Sequence, residues 1–450
     1  MKVFKPSRLA LVGAAAFLLA SLISPPQVSS QQYLIDIYKR EAQKIVIAIA
    51  GFPPFQLEPG GENLGGKAAS VLSDDLKFSG IFDVLDPSFL PFEPKEVKAG
   101  EAKGVLPALN ALKVQALAVG ELKNRGKELI LEGRLFDGAR GEMVFGKRYV
   151  GDSKSFRRMV HRFADEIVYR LTGEKGIAQT RIAFVSEVKD GKGVYKDIYV
   201  MDYDGYDEEA YIRVRGDPGR SINLSPRFSP NGKFLAYTSY RDGNPDLFVL
   251  DLETGRRQKL SAAPGLNISP AWSPDGSWIA FSMSGEQGTH LYLVRRDGSE
   301  LRKLTTGLGI NVSPTFSPNG RQIAFVSDRG GSPQIYVMDV EGTNVRRLTF
   351  SGDYNVSPRW SPRGDKIAFV SRRGGVLNIF MMNPDGSDVQ QLTFNSDNTE
   401  DPTWSPSGRH LIFTSDRNGR KNLYVMNADG SEQRRLTNND RDNYLADWSP

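Results

Sequence analysis

The dipeptide Ser-Pro recurs along the C-terminal part of the chain at a fixed spacing. Its serines are 44 residues apart every time, at Ser229, Ser273, Ser317, Ser361, Ser405 and Ser449. A fixed period indicates an array of structural repeats, and a period of about 40 to 50 residues with several short strands in each unit is typical of β-propeller blades. The repeat therefore predicts that this part of the chain folds as a β-propeller.

Each repeat contains the signals of four strands. A short aromatic strand such as Pro270–Ser273 is followed by an apolar run such as Ile279–Ser282, by a third strand such as Ile335–Asp339, and by a polar closing strand such as Arg346–Thr349. Asp-Gly and Asn-Gly pairs lie between the runs, and two-residue hairpins prefer these pairs because both residues tolerate positive φ. Four strands joined by hairpins make one blade.

The apolar run and the Ser-Pro strand each occur six times, but the two series are out of step. The apolar runs begin at Ile182, Leu235, Ile279, Ile323, Ile367 and Leu411. The first run has no Ser-Pro strand before it, and the last Ser-Pro strand, Asp447–Pro450, has no run after it. We therefore expect the C-terminal segment to pair into the blade that begins at Arg181 and to close a six-bladed ring without exposed sheet edges.

The region before the repeats alternates strand and helix signals. A buried strand is predicted at Lys44–Ala50, a helix at Ala68–Phe78, three strands within Ala116–Val150, and an amphipathic helix from Phe156 to Leu171 that stops at Gly173. The predicted fold class is thus an α/β N-terminal domain, residues 31–176, followed by an all-β six-bladed β-propeller, residues 177–450.

The first thirty residues have the pattern of a signal peptide. Lys2, Lys5 and Arg8 precede the apolar run Leu9–Ile23, and small residues follow it. We predict export to the periplasm, with a retained signal anchor as the alternative. The chain has no cysteine, so no disulfide, thiol nucleophile or lipid-bearing cysteine is available. Its net charge of +5 falls to about +2 without residues 1–30, and the charges are interspersed, which argues against nucleic-acid binding.

The sequence lacks the motifs of an enzyme. It has no Gly-x-Ser-x-Gly elbow, no phosphate-binding Gly-rich loop that opens a helix, and no His-Glu-x-x-His. The three histidines, His161, His290 and His410, are isolated in sequence, so we interpret them as structural. The turn Asp202–Gly205 resembles a fragment of a calcium loop without its distal Glu. We predict no catalytic residue, cofactor or metal.

A binding ring is predicted where the repeats enter their first strands. The shared position is held by Asn223, Asn267, Asn311, Asn355, Thr399 and Asn443. The residues that follow it should surround one mouth of the central channel: Leu224, Ser225, Ile268, Ser269, Val312, Ser313, Val356, Ser357, Glu400 and Asp401. Rigid scaffolds commonly bind partners on such loops. The alternative for the Asn side chains is that they only cap strands. Thr399, Glu400 and Asp401 depart from the repeat and are the better candidates for specificity.

The repeats resemble those of the TolB family of the Tol–Pal system. The resemblance lies in the Ser-Pro-x-Phe/Trp-Ser-Pro-x-Gly units, the loops Ser327–Gly331 and Ser415–Gly419, the junction Arg181–Ser186 and the turn Asp202–Tyr206. Together with the leader and the α/β domain, it covers nearly the whole mature chain. It implies a monomeric, non-catalytic periplasmic protein without cofactors that supports outer-membrane integrity and constriction during cell division.

The resemblance also implies two partners. The lipoprotein Pal would bind at the channel mouth, and TolA would bind the mature N-terminus, at Tyr33, Leu34, Ile35 and Ile37. For these four residues the alternative is a first element of the α/β domain. An alternative function is a propeller that binds a saccharide or cell-wall fragment in its channel. A hydrolase would need an acid–base pair such as Glu400 and Asp401, but adjacent residues of a strand point to opposite faces.

Overall fold

The computed structural model describes residues 44–450, apart from residues 59, 98–101, 192, 214–220 and 395. The predicted signal peptide, residues 1–30, and the predicted TolA-binding residues lie outside this part of the chain. None of the helices that it does include combines the length and the apolar content needed to span a membrane.

The α/β unit contains a five-stranded sheet in the order β2-β1-β3-β4-β5. β1 is parallel to β2 and β3, whereas β3, β4 and β5 are antiparallel. The strands are β1 (Ile45–Gly51), β2 (Phe82–Val84), β3 (Ala116–Arg125), β4 (Glu128–Asp137) and β5 (Met143–Gly151), and the helices are α1 (Leu64–Phe78), α2 (Ala102–Ala111) and α3 (Phe156–Thr172), with 3-10 turns at Pro87–Phe89 and Pro94–Glu96.

Both faces of this sheet are covered. Ile45, Ile47 and Ile49 of β1 belong to a core with α1 and α3, and Ala48 and Ala50 belong to a second core on the opposite face. The predicted strands and the predicted helices α1 and α3 are confirmed. α3 ends at Gly173, whose φ of 74° fits the left-handed helix cap that glycine favours. The sequence analysis does not predict α2, which carries Pro107 in its interior, where proline normally breaks a helix.

The rest of the described chain is all-β, which confirms the propeller prediction. The strands are β6 (Arg181–Asp190), β7 (Gly193–Asp202), β8 (Glu209–Ile212), β9 (Asn223–Phe228), β10 (Phe234–Ser239), β11 (Asp246–Asp251), β12 (Arg257–Ser261), β13 (Asn267–Trp272), β14 (Trp278–Gly285), β15 (Gly288–Arg295), β16 (Leu301–Lys303), β17 (Gly309–Phe316), β18 (Gln322–Ser327), β19 (Gln334–Asp339), β20 (Arg346–Arg347), β21 (Asn355–Trp360), β22 (Ile367–Arg373), β23 (Val376–Met382), β24 (Gln390–Gln391), β25 (Thr399–Trp404), β26 (His410–Ser415), β27 (Asn422–Asn427), β28 (Arg434–Arg435) and β29 (Asn443–Trp448).

The hydrogen bonding differs in one respect from six separate blade sheets. Four sheets have four strands each, namely β9 to β12, β21 to β24, β25 to β28, and β29 with β6 to β8. The fifth sheet has eight strands, because Gly288 and Thr289 of β15 pair in parallel with Gly309 and Ile310 of β17. Gly288 permits this approach, because a Cβ on it would lie 2.2 Å from the carbonyl oxygen of Gly309.

The first strands of the repeats form a closed ring. β9, β13, β17, β21, β25 and β29 each contact the next, and β29 contacts β9. β29 pairs antiparallel with β6, with Asn443 opposite Ser186 and Trp448 opposite Ile182. This confirms that the C-terminal segment completes the sheet that begins at Arg181. The ring therefore closes by hydrogen bonds between the two ends of the repeat region.

Aromatic packing joins the two units. Phe78, the last residue of α1, stacks on His410 of β26 at 4.2 Å between ring centroids and lies 5.1 Å from Tyr203. One buried apolar cluster runs without interruption from Ile45 and Phe163 of the α/β unit to Trp448 at the closure strand. The helical face of the α/β unit is thereby fixed against the closing sheet of the propeller.

Candidate functional site

The residues at the shared entry position are buried. Asn223, Asn267, Asn311, Asn355, Thr399 and Asn443 are at most 2% exposed. Asn223 accepts from Ser239 Oγ at 2.8 Å and donates from Nδ2 to the carbonyl of Lys196, in the neighbouring sheet, at 3.1 Å. Asn443 likewise accepts from Ser186 Oγ at 2.8 Å. These side chains hold strands together, and their burial favours the alternative that they only cap strands, while direct contact with a partner stays a prediction.

The third residue of each first strand has a left-handed backbone. φ lies between 52° and 56° at Ser225, Ser269, Ser313, Ser357, Asp401 and Leu445. The strand register shifts at each of these points, so every first strand carries a β-bulge. Bulges re-aim side chains and are enriched beside functional sites. The bulge residues are neither fully buried nor fully exposed, and together they form a six-membered ring at the channel.

In five of the six first strands, the residue between the entry position and the bulge shares this intermediate exposure, whereas Tyr444 of β29 is buried. Leu224, Ile268, Val312 and Val356 are partly exposed, as is Glu400, their counterpart in β25. The structure therefore brings together the predicted aliphatic, serine and acidic residues of the mouth. Only β25 places a carboxylate at both positions.

A charged sector surrounds β25, β29 and β6. Lys421 Nζ lies 3.3 Å from Glu400 Oε2, and Tyr444 Oη donates to Glu187 Oε1 at 3.0 Å. Lys196 pairs with the same Glu187 at 3.2 Å and lies 5.5 Å above the ring of Tyr444. Elsewhere the ring repeats Asn, an aliphatic residue and Ser. This sector therefore gives the otherwise uniform mouth one distinct side.

Two aspartates in the channel have raised pKa values. Burial raises the pKa of Asp401 to about 6, and the adjacent charge of Glu400 raises it further. Burial also raises the pKa of Asp447 to about 6, against the opposing effect of Arg227, whose Nη1 lies 3.6 Å from Asp447 Oδ1. Burial of a carboxylate in low dielectric disfavours its charged form.

An apolar rim that was not predicted from the sequence surrounds this mouth. Leu308, Phe350 and Phe394 are 83%, 76% and 78% exposed, and Ile310 is 51% exposed. Leu308, Phe350 and Phe394 lie on the loops that lead into β17, β21 and β25, and Ile310 is the second residue of β17. A comparison of repeats at these loops could have found them, because Ala262 and Asn438 stand where the phenylalanines do. Exposed apolar side chains that cluster beside a channel mark interaction surfaces.

The opposite end of the channel is lined by aromatic side chains. A cavity of about 380 Å³ is bounded by Phe228, Trp272, Phe316, Trp360, Trp404 and Trp448. These rings are 6% to 9% exposed, and the indole N–H groups of Trp272 and Trp404 donate to backbone carbonyls at 3.0 Å. A saccharide site would need free ring faces and free polar groups. The rings pack between blades, whereas Arg227 Nε and Arg359 Nε, which also line this cavity, have no hydrogen-bond partner among the described residues, so the saccharide alternative stays a prediction.

A buried polar cluster joins the α/β unit to the propeller. His161 Nδ1 of α3 lies 2.8 Å from Asp75 Oδ2 of α1, and Tyr203 donates to the other oxygen of Asp75 at 2.5 Å. Asp204 pairs with Arg157 and lies 3.8 Å from His161 Nε2. Asp75, His161 and Asp204 have a spacing that a metal ion could use. However, both carboxylates are already engaged by protein donors and Arg157 supplies a competing positive charge, so the cluster serves as an interdomain contact.

Two family models match the chain. The one described as the TolB beta propeller domain covers residues 168–450, and the one described as the TolB amino-terminal domain covers residues 33–144. The chain belongs to the TolB family. Its relatives include the Tol-Pal system protein TolB of Syntrophus aciditrophicus (strain SB), 38% identical over 216 residues, which are 48% of this chain and 47% of the relative.

Two further TolB proteins are similar to this chain. The Tol-Pal system protein TolB of Desulfosudis oleivorans (strain DSM 6200 / JCM 39069 / Hxd3) is 36% identical over 55% of this chain and 54% of its own length. The chain thus spans about half the length of the curated relatives it matches. The crystal structure of TolB from Acinetobacter baumannii has a TM-score of 0.74 and 26% identity, and the match covers 91% of this chain and 97% of that one. The TolB fold therefore extends across both units.

Proposed function

We propose that this chain is a non-catalytic interaction protein of the Tol–Pal envelope system in the periplasm, which binds Pal at the channel mouth. The observation that carries the proposal is the match of TolB models to both units, which includes the repeats that build the mouth. The mouth offers a ring of half-buried polar and aliphatic residues, an apolar rim and one charged sector. A protein partner can use all three, since interfaces combine apolar anchors with a polar surround.

The proposal includes the domain plan. Residues 1–30 are a signal peptide, residues 31–176 the α/β domain, and residues 177–450 a propeller of six blades. The closed ring of six first strands supports six blades, because the eight-stranded sheet contributes two of these strands, β13 and β17. In this arrangement the Pal contacts come from Ser225, Ile268, Ser269, Val312, Ser313, Val356, Ser357, Glu400 and Asp401.

The mature N-terminus is proposed to bind TolA through Tyr33, Leu34, Ile35 and Ile37. The two interactions together would support outer-membrane integrity and constriction at division. A mature chain that lacks residues 31–37 should lose TolA binding in a pull-down with soluble TolA and retain Pal binding. Loss of both interactions by a folded deletion variant would contradict separate sites.

Calorimetric titration tests the Pal site. The soluble domain of Pal from the same organism should bind the mature chain with one-to-one stoichiometry. Glu400→Ala with Asp401→Ala should weaken binding about tenfold, a loss of ~1.4 kcal/mol, because partner groups would lose their charged contacts. The control is Glu253→Ala with Glu341→Ala, two exposed carboxylates on outer turns. Absence of binding by folded wild-type protein would refute the Pal assignment.

A further inference from the structure

A large cleft separates the α/β domain from the propeller, away from the channel mouth. Its volume is about 1170 Å³. One wall is β5, a second is α3 with the linker at residues 174–180, and the third consists of propeller residues around Arg363, Arg409 and Pro450. Pro450 follows the end of the first strand β29, whereas the channel mouth lies at the beginnings of the first strands. The cleft and the mouth are therefore different surfaces.

The wall formed by β5 is a free sheet edge. β5 is the terminal strand of its sheet, and among the described residues no strand pairs with its outer side. Four consecutive residues, Lys147 to Val150, line the cleft. A strand edge carries unpaired backbone N–H and C=O groups, and extended peptides bind proteins by adding to such edges. The cleft thus offers main-chain hydrogen bonds along one wall.

A buried donor without a partner faces the same cleft. Tyr149 is 6% exposed, and its hydroxyl has no hydrogen-bond partner among the described residues. Burial raises the pKa of Tyr149 well above its ordinary value, so the hydroxyl stays protonated. A buried polar group without a partner is unfavourable, and a ligand acceptor would relieve this. The cleft therefore holds an unused hydrogen-bond donor next to β5, which an acceptor group of a ligand would satisfy.

The free charges of the cleft are positive. Lys147 pairs with Glu166 at 2.9 Å and Arg409 with Glu174 at 2.7 Å. Asp165 accepts from the backbone N–H groups of Ala178 and Gln179, at 2.9 and 3.1 Å. The carboxylates that line the cleft, Asp165, Glu166 and Glu174, are therefore all engaged by donors of the protein itself.

Three exposed cations remain there, Arg162, Lys175 and Arg363, and none has a carboxylate partner among the described ion pairs. Two exposed apolar side chains, Val150 at 52% and Tyr169 at 53%, lie beside them. A ligand that suits this lining has an extended backbone, negative charges and some apolar side chains.

We infer that the interdomain cleft binds an extended acidic peptide segment of a partner protein, which adds to the outer edge of β5. A carboxylate of the segment accepts from the Tyr149 hydroxyl and pairs with Arg162, and a further carboxylate pairs with Lys175 or Arg363. Apolar side chains of the segment pack against Val150 and Tyr169. Because both domains contribute, the segment also bridges them. This site is independent of the proposed Pal contacts.

Fluorescence anisotropy with the full mature chain tests the peptide chemistry. The probe is a labelled ten-residue peptide in which Glu alternates with Val and Thr. It should bind saturably, and the same peptide with Lys in place of Glu should bind at least tenfold more weakly. N-methylation of alternate backbone amides should also weaken binding at least tenfold, because it removes strand hydrogen bonds. Equal binding of the methylated peptide, or no binding of the acidic one, would overturn the proposal.

Variants locate the site. Tyr149→Phe removes only the hydroxyl, so the unfolding transition should stay the same or rise, while peptide binding weakens about fivefold. Arg162→Glu with Lys175→Glu should weaken binding at least tenfold. The control, Arg256→Glu with Arg257→Glu, makes the same charge change at exposed propeller positions that do not line the cleft and should leave binding unchanged. Equal loss in the control, or dimerisation of the chain through the cleft without peptide binding, would overturn the inference.

Discussion

Individual residues of the mouth serve two different purposes. The buried Asn side chains bond to serines and to backbone carbonyls, so they fix the geometry of the ring. The residues directly after them are partly exposed in five of the six first strands, where they can contact a partner, whereas Tyr444 in the sixth is buried. Glu400 and Asp401 belong to the second group, and the raised pKa of Asp401 shows that the fold tolerates its charge only at a penalty.

Asp401→Asn should therefore stabilise the protein at alkaline pH. The pKa of Asp401 is about 6 in the folded state against an ordinary 3.8, so its stability contribution is lost as pH rises from about 4 through 6. The full shift corresponds to roughly 2 to 3 kcal/mol, and Asn also tolerates a φ of 54°. Urea denaturation should show a gain of about 2 kcal/mol at pH 8 and a gain smaller by about 1 kcal/mol at pH 5. Equal gains at the two pH values would contradict this explanation.

Asp75→Asn should destabilise the contact between the domains. Burial lowers the pKa of His161, but the hydrogen bond and the charge of Asp75 outweigh it and raise this pKa above 6.5. A buried pair that loses one partner costs about 3 to 5 kcal/mol. Denaturation at pH 6 should show a loss of that size, and Asp83→Asn, at an exposed position of β2, should show none.

The same pair makes stability depend on pH. A raised histidine pKa contributes stability that is fully present below 6.5 and is lost as pH rises through the folded value. The difference between wild type and Asp75→Asn should therefore shrink between pH 6 and pH 9. A difference that is constant over this range would show that His161 does not titrate in the folded protein.

At the scale of single elements, the bulge is the feature that distinguishes the first strands. Each first strand shifts register at a residue with positive φ, and five of the six bulge residues precede a proline or carry a polar side chain. The exception is Leu445, which precedes Ala446. The bulge turns the strand while the apolar residues on both sides of it remain packed. The side chains at the mouth therefore change direction and the core stays intact.

Substitution at one bulge separates backbone strain from packing. Ser313→Val should lower the free energy of unfolding by about 1 to 2 kcal/mol, because a β-branched residue is strained at a φ of 54°. Ser313→Gly should change it by less than about 1 kcal/mol, because glycine adopts this φ freely but loses more entropy on folding. Thermal and urea unfolding of the two variants would measure this order, and the reverse order would refute the assigned strain.

At the scale of the whole molecule, the C-terminal strand β29 connects the propeller ring with the α/β domain. β29 completes the sheet of β6 to β8, and Trp448 donates from Nε1 to Thr180 Oγ1 at 2.7 Å, directly after the α/β domain. The same tryptophan belongs to the core shared by both domains. The ring closure and the domain contact are therefore one structural unit.

Removal of residues 443–450 should disrupt both the ring closure and the contact between the domains. The truncation exposes the edge of β6 and the shared core, and open edges template association with other chains. We expect loss of cooperative thermal unfolding and aggregation in size-exclusion chromatography. Removal of the exposed Pro450 alone should leave both measurements unchanged. A monomeric, cooperatively folding truncation variant would show that the ring does not depend on β29.

The repeat architecture follows from local signals in the amino-acid sequence. The 44-residue period, the hairpin turns and the offset between the Ser-Pro strands and the apolar runs predict the propeller and the pairing of β29 with β6, because these signals are local and repeat in every unit. The stripe of α3 and its stop at Gly173 are equally local. The residues around the mouth also follow from their place in the repeat.

The accessibility of these residues and the features between the domains depend on how distant parts of the chain pack together. Burial of the Asn side chains depends on hydrogen bonds to neighbouring strands, and the contact of Asp75 with His161 joins residues 86 positions apart. The positive φ at the bulges, the joined sheet at Gly288 and Gly309, and the cleft beside β5 likewise depend on how separate elements meet. The contact of Asp75 with His161, the joined sheet and the cleft leave no periodic signal in the sequence, because the residues that make them are separated by spacings that do not follow the repeat.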